Sequence, residues 1–128
     1  CIRDRMIKRD AHKFDEACVQ FAKTFPKIIR EIRAVNPDVK IYADNIYNPA
    51  KGIDAFSQVY SVADVYINRM NRGFYPSDEY VLVDIKKCFD GEKESMVNLS
   101  FKGREIDPHP SEKGHKKIAQ MVIKAMER

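Results

Sequence analysis

Apolar and polar residues along this chain follow a pattern that predicts helices and strands in alternation. From about Ala11 to Val35, apolar side chains recur at steps of four and three residues, the spacing that lines one face of an α-helix. Pro26 lies inside this segment and predicts a kink or a break, because its nitrogen cannot donate to the carbonyl of Ala22. The predicted inward residues are Phe14, Cys18, Phe21, Phe25, Ile28 and Ile32.

Two short segments predict strands and a third predicts another helix. Residues 39–44 alternate as a strand does, and the nearly continuous apolar run 80–85 is typical of a strand buried on both faces of a parallel sheet. A helix is predicted from Ile53 to about Asn71, with an apolar face broad enough to contact a sheet and a neighbouring helix. Its main stripe is Ile53, Phe56, Tyr60, Ala63, Ile67 and Met70, and a second contact face of Val59, Val62 and Tyr66 widens it. Residues 86–106 look irregular, with one short helix near Met96.

The last predicted helix runs from about residue 111 to residue 126. Pro110 precedes Ser111, whose hydroxyl suits the N-cap position. Gly114 would allow this helix to approach the sheet closely. The residues predicted to face inward are Ile118, Ala119, Val122 and Met126.

The order of the elements predicts an α/β layer structure with right-handed crossovers, forming one partial domain over residues 1–128. Two parallel strands are too few for a stable sheet. We therefore expect further strands from a segment outside this chain or from another chain. We also expect self-association through exposed sheet edges, because an open edge presents unpaired backbone groups.

Composition and charge narrow the function classes. Charged residues make up 33% and hydrophobic residues 44%, which is ordinary for a globular domain. The net charge of +4 comes from mixed basic and acidic residues rather than a basic stripe, which argues against nucleic-acid binding. Three widely spaced cysteines without a CxxC pair argue against a disulfide framework or a zinc site, and Cys18 is expected to be a small buried hydrophobe.

The most informative chemistry lies in residues 107–110, Asp-Pro-His-Pro. These residues end the long loop, residues 86–110, that leaves the second predicted strand, so His109 should lie at the edge of the sheet where ligands bind. A catalytic imidazole needs a partner that fixes its tautomer and stabilises the imidazolium, and Asp107 is near enough to do so. The two prolines would stiffen the support of a general base.

Other interpretations of the same residues stay open. His109 also fits a hydrogen-bonding surface group, and Asp107 fits the cap of a turn before Pro108. His115 is expected to pack the first turn of the last helix, and His12 lies on a polar face with no expected role. Asp107, His109 and His115 together would be a metal site of unusual spacing.

Residues 107–119, Asp-Pro-His-Pro-Ser-Glu-Lys-Gly-His-Lys-Lys-Ile-Ala, resemble the last signature block of the SGNH (GDSL-type) hydrolases. In that family a histidine followed by proline, and then Gly-His or Gly-Tyr, opens the C-terminal helix. Upstream segments are similar to the preceding helices, strands and loop, so the resemblance covers nearly the whole chain but only the C-terminal half of a typical member. These segments are Ile28 to Arg33, Asn36-Pro37, Ile41, Tyr47-Asn48-Pro49, Asn68 to Asn71 and Val83-Asp84-Ile85.

The resemblance implies part of a flavodoxin-like three-layer α/β/α parallel sheet, with the N-terminal strands outside this chain. It implies hydrolysis of small-molecule or lipid esters by serine attack, without a cofactor. His109 would be the general base and Asp107 its orienting partner. The family more often places its aspartate three residues before the histidine, where this chain has Ile106.

Three other blocks of that family are absent. The chain has no Gly-Asp-Ser block for the nucleophile, no equivalent glycine and no Gly-x-Asn-Asp block for the oxyanion hole. We therefore expect the chain alone to be inactive, since acyl transfer needs nucleophile, base and oxyanion donors together. The alternatives are a non-catalytic binding module of the same fold and a metal-dependent hydrolase using Asp107, His109 and His115. Tyr47, Phe74 and Tyr75 are the candidate walls of an acyl pocket.

Overall fold

The computed structural model describes residues 2–52, 57–98 and 107–127, with side chains from Asp10 onward. The described elements, in chain order, are α1 (Ile2–Val35), β1 (Tyr42–Asp44), α2 (Ser57–Asn71), β2 (Val81–Val83), α3 (Ile85–Asp90) and α4 (Glu112–Met126). β1 and β2 pair in parallel, with Tyr42 opposite Val81 and Asp44 opposite Val83. The described residues therefore combine helices with a parallel strand pair, which agrees with α/β character in general.

Helix α1 is longer than its pattern predicted, since it begins at Ile2 and passes through Pro26 without a break. Its partly buried face continues from Phe25 to Ile29, which is only 2% exposed, whereas Ile28 and Ile32 face solvent. The predicted inward positions at Ile28 and Ile32 are therefore wrong.

Aromatic packing explains how α1 tolerates the proline. The ring of Phe25 lies 5.1 Å from both Phe74 and Tyr80, and Phe21 lies 5.2 Å from Phe74. Burial of several large rings outweighs the one backbone hydrogen bond that a proline removes. Across the described ranges, no helix has the length and apolar character needed to cross a bilayer.

Helix α2 buries the main stripe that the sequence predicted and exposes the rest. Ile67 is buried, with Tyr60, Ala63 and Met70 partly buried. Val59 and Val62 are exposed, so the predicted second contact face is wrong for these two residues. The predicted first turn, residues 53–56, lies outside the described residues.

Strand β2 is buried less than predicted. Val83 is 2% exposed, but Val81 and Leu82 are 43% and 41% exposed. In the part of the chain that the structure describes, β2 pairs only with β1. Among the described residues, one flank of β2 therefore has no strand beside it. The exposure of Val81 and Leu82 shows that this strand is not buried on both faces.

The core gathers around the segment that follows β2. Val83, Ile85, Phe89 and Met96 form its buried centre. Helix α3 begins after Asp84, whose carboxylate accepts from the backbone N–H of Lys87 at 3.0 Å. The prediction of irregular structure was therefore wrong for 86–90. The described residues from 91 to 98 contain no helix near Met96, and residues 99–106 lie outside the described residues.

Helix α4 begins as predicted, because the Ser111 hydroxyl accepts from the backbone N–H of Gly114 at 3.2 Å. Ile118 and Val122 pack against the core as predicted, together with Met121 and Ala125. Ala119 and Met126 are exposed instead of inward, because the contacting face is centred between Ile118 and Val122.

A short antiparallel bridge between Val97 and Pro110 joins the segment after α3 to the start of α4. The backbone N–H of Asn98 donates to the His109 carbonyl at 2.7 Å, and that of Ser111 donates to the Met96 carbonyl at 2.9 Å. Gly114 is buried against this bridge. The sequence had suggested that Gly114 lets α4 approach the sheet. In the structure, the element close to Gly114 is instead the Met96 carbonyl.

We predict that Gly114→Ala destabilises the fold. A Cβ there would collide with the Met96 carbonyl oxygen and lie 3.1 Å from Pro110 Cβ. Overpacking of this kind costs about 2 kcal/mol of unfolding free energy, measurable by urea denaturation.

Gly91→Ala is the matched control, since its Cβ would meet nothing closer than 3.5 Å and its φ is −76°. We expect this substitution to leave stability unchanged or to raise it by less than about 1 kcal/mol. Equal stability of the two variants would contradict the close contact between Gly114 and Met96.

Candidate functional site

Asp107 and His109 contact each other through a single carboxylate oxygen. Oδ1 of Asp107 accepts from the backbone N–H of His109 at 3.0 Å and lies 2.5 Å from its ring Nδ1. A carboxylate can only accept, so in the neutral imidazole Nδ1 carries the proton and Nε2 is left with its lone pair. The same oxygen thus makes both contacts that the sequence suggested for Asp107, one with the backbone of the turn and one with the imidazole ring.

The imidazole of His109 is open on its other side. Its side chain is 81% exposed and that of Asp107 is 38% exposed. A histidine with one nitrogen held by a carboxylate and the other accessible can accept a proton from an approaching hydroxyl. This geometry suits a general base that acts on a group supplied from elsewhere.

The carboxyl of Asp107 is stabilised in its charged form. The backbone N–H of His109 is the main cause that lowers the pKa of Asp107, and the ring hydrogen bond lowers it further. Asp107 is therefore a carboxylate at neutral pH, as an orienting partner must be.

Tyr47 connects this loop to the end of β1. Its hydroxyl donates to the Pro108 carbonyl at 3.0 Å, and its ring lies 4.8 Å from the buried ring of Phe89. Burial raises the pKa of Tyr47, and the nearby charge of Asp107 raises it further, so the hydroxyl remains a donor at neutral pH.

A shallow depression of about 420 Å³ lies beside His109. Its walls are mostly apolar, and several of them belong to the loop that follows β1, which places His109 at the carboxyl end of the strand pair as expected. The lining residues are Asn45, Ile46, Tyr47, Pro49, Ile67, Pro108 and His109. Of the three predicted wall residues only Tyr47 is here, because Phe74 and Tyr75 line a different depression with Tyr80 and Leu82.

A partly buried polar cluster around Asn48 fixes the loop that carries Tyr47. Asn48 is 1% exposed, and its side-chain amide donates to the Tyr60 carbonyl at 3.0 Å and to Asp64 Oδ1 at 3.3 Å. Lys86 Nζ lies 2.8 Å from Asp64 and 2.6 Å from Asp90. Burial tends to raise the pKa of Asp64, but the hydrogen bonds from Lys86, Asn48 and Asn68 outweigh it and the pKa is lowered.

Asn45 links the ends of the two strands and was not singled out in the sequence. Its amide donates to Asp84 Oδ1 at 2.7 Å and accepts from the backbone N–H of Lys86 at 2.9 Å. The only local signal was an asparagine directly after a predicted strand, and its partner is far away in sequence. Pairings of this kind become visible only once the strands are adjacent.

The described residues supply neither a nucleophile nor a metal site near His109. None of the described serines lines the depression beside it, and Ser100 lies outside the described residues. No three His, Cys, Asp or Glu side chains of the described segments come together as metal ligands, so Asp107, His109 and His115 are not gathered into one site.

The remaining titratable candidates lie away from Asp107 and His109. His115 is exposed on α4, so its predicted packing role is wrong, and His12 is exposed on α1, 3.4 Å from Glu16. Cys18 is a free, partly buried thiol. Ile106, where the SGNH hydrolases more often have their aspartate, lies outside the described residues.

Comparison with protein-family models, with curated proteins and with solved structures finds no match to this chain.

We predict that Asp107 titrates below its ordinary value of 3.8. Its folded pKa is depressed, so the stabilising contact with His109 is fully present above 3.8 and is lost as pH falls through the lower folded value. In His109→Ala the backbone donor remains, so the Asp107 pKa should rise only partway.

The measurement is a pH titration of the side-chain carboxyl carbon shifts by NMR. Asp38, an exposed aspartate, serves as the internal comparison. An Asp107 pKa at or above 3.8 in the unsubstituted chain would contradict the hydrogen bonding described above.

Proposed function

We propose that this chain is the C-terminal portion of a serine ester hydrolase of the SGNH type, in which His109 is the general base and Asp107 orients it. The observation that carries the proposal is the single Asp107 oxygen shared by the ring Nδ1 and the backbone N–H of His109. The signature-like segment 107–119 adds the resemblance in sequence. The nucleophile and the oxyanion donors would come from residues outside this chain, and no cofactor is required.

The proposed chemistry follows from the free Nε2 of His109. A serine hydroxyl loses its proton to Nε2 as its oxygen attacks the ester carbonyl, and Asp107 stabilises the resulting imidazolium. The imidazolium then protonates the departing alcohol. A water molecule next loses a proton to Nε2 as its oxygen attacks the acyl-serine ester. The imidazolium then protonates the departing serine oxygen, which releases the acid and restores the serine.

The apolar depression supports an ester with an apolar part, either a small molecule or a lipid. Ile46, Pro49 and Ile67 offer hydrocarbon surface within the same depression as the imidazole. An acyl chain lying there would place its carbonyl near His109, which is the arrangement that acyl transfer needs.

The proposal includes a flavodoxin-like three-layer sheet extended beside β1 and β2 by strands of the N-terminal half. The exposure of Val81 and Leu82 supports it, since strand residues of this kind are normally covered. Without those strands, copies of this chain would associate through the open edge. Sedimentation should show dimers or larger species, and a monomer at all concentrations would contradict this.

A non-catalytic binding module of the same fold is the second candidate. It fits the observation that none of the described serines lines the depression beside His109, which the hydrolase proposal explains instead by a nucleophile outside this chain. Such a module would bind apolar ligands in the full-length gene product without hydrolysing them.

The test is hydrolysis of p-nitrophenyl acetate and butyrate by this chain and by the full-length gene product. We expect no enzymatic rate from the chain alone. In the full-length protein, His109→Ala should lower kcat by about 10⁴-fold or more and Asp107→Asn by about 10²- to 10⁴-fold.

The control is His115→Ala, which removes an exposed histidine of α4 and should leave kcat unchanged. Hydrolysis that persists in His109→Ala would overturn the role of the base. Ligand binding without any hydrolysis would favour the binding module.

A further inference from the structure

The peptide bond between Pro108 and His109 is held at both ends by side chains. Its carbonyl accepts from the Tyr47 hydroxyl at 3.0 Å, and its N–H donates to Asp107 Oδ1 at 3.0 Å. A trans peptide unit is planar, so its C=O and N–H point in opposite directions. Two anchors on opposite edges of one plane fix the rotation of that plane.

The rotation of this plane sets the direction in which the imidazole leaves the backbone. Because the Cα of His109 belongs to the plane, a rotation would move the ring away from Asp107. Asp107 alone cannot prevent this, since it lies in the same short loop and would move with it. Tyr47 comes from a different part of the fold, at the end of β1, so it can hold the peptide plane in place relative to the core.

Tyr47 is itself fixed to the core. Its ring packs against Phe89, which is 2% exposed, and the next residue, Asn48, is 1% exposed and bonded to α2. A side chain with few rotatable bonds, packed at its ring against the core, fixes the loop that its hydroxyl bonds. The charge of Asp107 also favours the neutral, donating form of the hydroxyl.

We propose that Tyr47 is a positioning residue for His109, holding the 108–109 peptide so that the ring Nδ1 stays on Asp107 and Nε2 faces the substrate. The catalytic role of this positioning rests on the proposed function. The effect of Tyr47 on the orientation of the His109 ring does not depend on it. Tyr47 would act through the backbone and would not accept or donate a proton during the reaction.

The test uses Tyr47→Phe, which keeps the ring packing on Phe89 and removes only the hydroxyl. In the chain as it stands, long-range ¹⁵N–¹H spectra should show His109 with its proton on Nδ1. Tyr47→Phe should give a mixture of Nδ1–H and Nε2–H forms and about tenfold faster hydrogen exchange at the His109 amide.

Tyr75→Phe is the matched control, because that partly buried hydroxyl bonds to Glu79 at 3.2 Å within the aromatic cluster around Phe25. It should leave the His109 tautomer and amide exchange unchanged. An unchanged tautomer and amide exchange in Tyr47→Phe would overturn the proposal, even if the variant were less stable, because lost stability alone indicates a merely structural role.

The full-length gene product separates this inference from the proposed function. If its ester hydrolysis depends on His109, Tyr47→Phe should lower kcat about tenfold with little change in KM. A raised KM with unchanged kcat would show a substrate-binding role and overturn positioning. If no ester is hydrolysed but the tautomer shift is seen, the positioning role holds and the catalytic function fails.

Discussion

The pairing of residues 96–98 with residues 109–111 is the constraint on which the candidate site depends. Met96 and Val97 are almost fully buried, so their backbone groups need partners inside the protein. The Met96 carbonyl accepts two hydrogen bonds from Ser111, one from the backbone N–H at 2.9 Å and one from the hydroxyl at 3.1 Å. An unmade bond at this depth would cost more than an ordinary hydrogen bond contributes, so the start of α4 cannot move away from the core.

This pairing and the contact of Tyr47 hold the loop that carries Asp107 and His109 from two directions. The bridge ties the carbonyl of His109 to Asn98, and Tyr47 ties the carbonyl of Pro108 to the end of β1. The imidazole itself remains mostly exposed. A fixed backbone beneath an accessible ring is the combination that a general base needs, since rigidity sets its direction and exposure admits its substrate.

The local features of the site could be predicted from the sequence, and the features that depend on distant contacts could not. The Ser111 cap and the contact between Asp107 and His109 lie within a few residues of chain, where turn chemistry decides the outcome. Asn48 was assigned only to a loop, because its partners Tyr60 and Asp64 belong to α2.

The errors in the fold prediction have the same origin. The apolar run around β2 predicted burial on both faces, but burial depends on which elements cover those faces and not on the run itself. The apolar stripe of α1 was followed to Ile28 and Ile32, whereas the buried position is Ile29, which lies one turn after Phe25. Periodicity identified each of these elements, and the neighbouring elements decided which positions became core.

The central claim, that His109 activates a serine outside this chain, is tested most directly by a fluorophosphonate probe that labels activated serines. The probe would be applied to the full-length gene product, followed by mass spectrometry of the labelled peptide. We predict stoichiometric labelling of one serine outside residues 1–128, with the rate reduced at least a thousandfold, on the order expected for loss of a catalytic base, in His109→Ala. No labelling, or labelling at the same rate without the His109 imidazole, would contradict the claim.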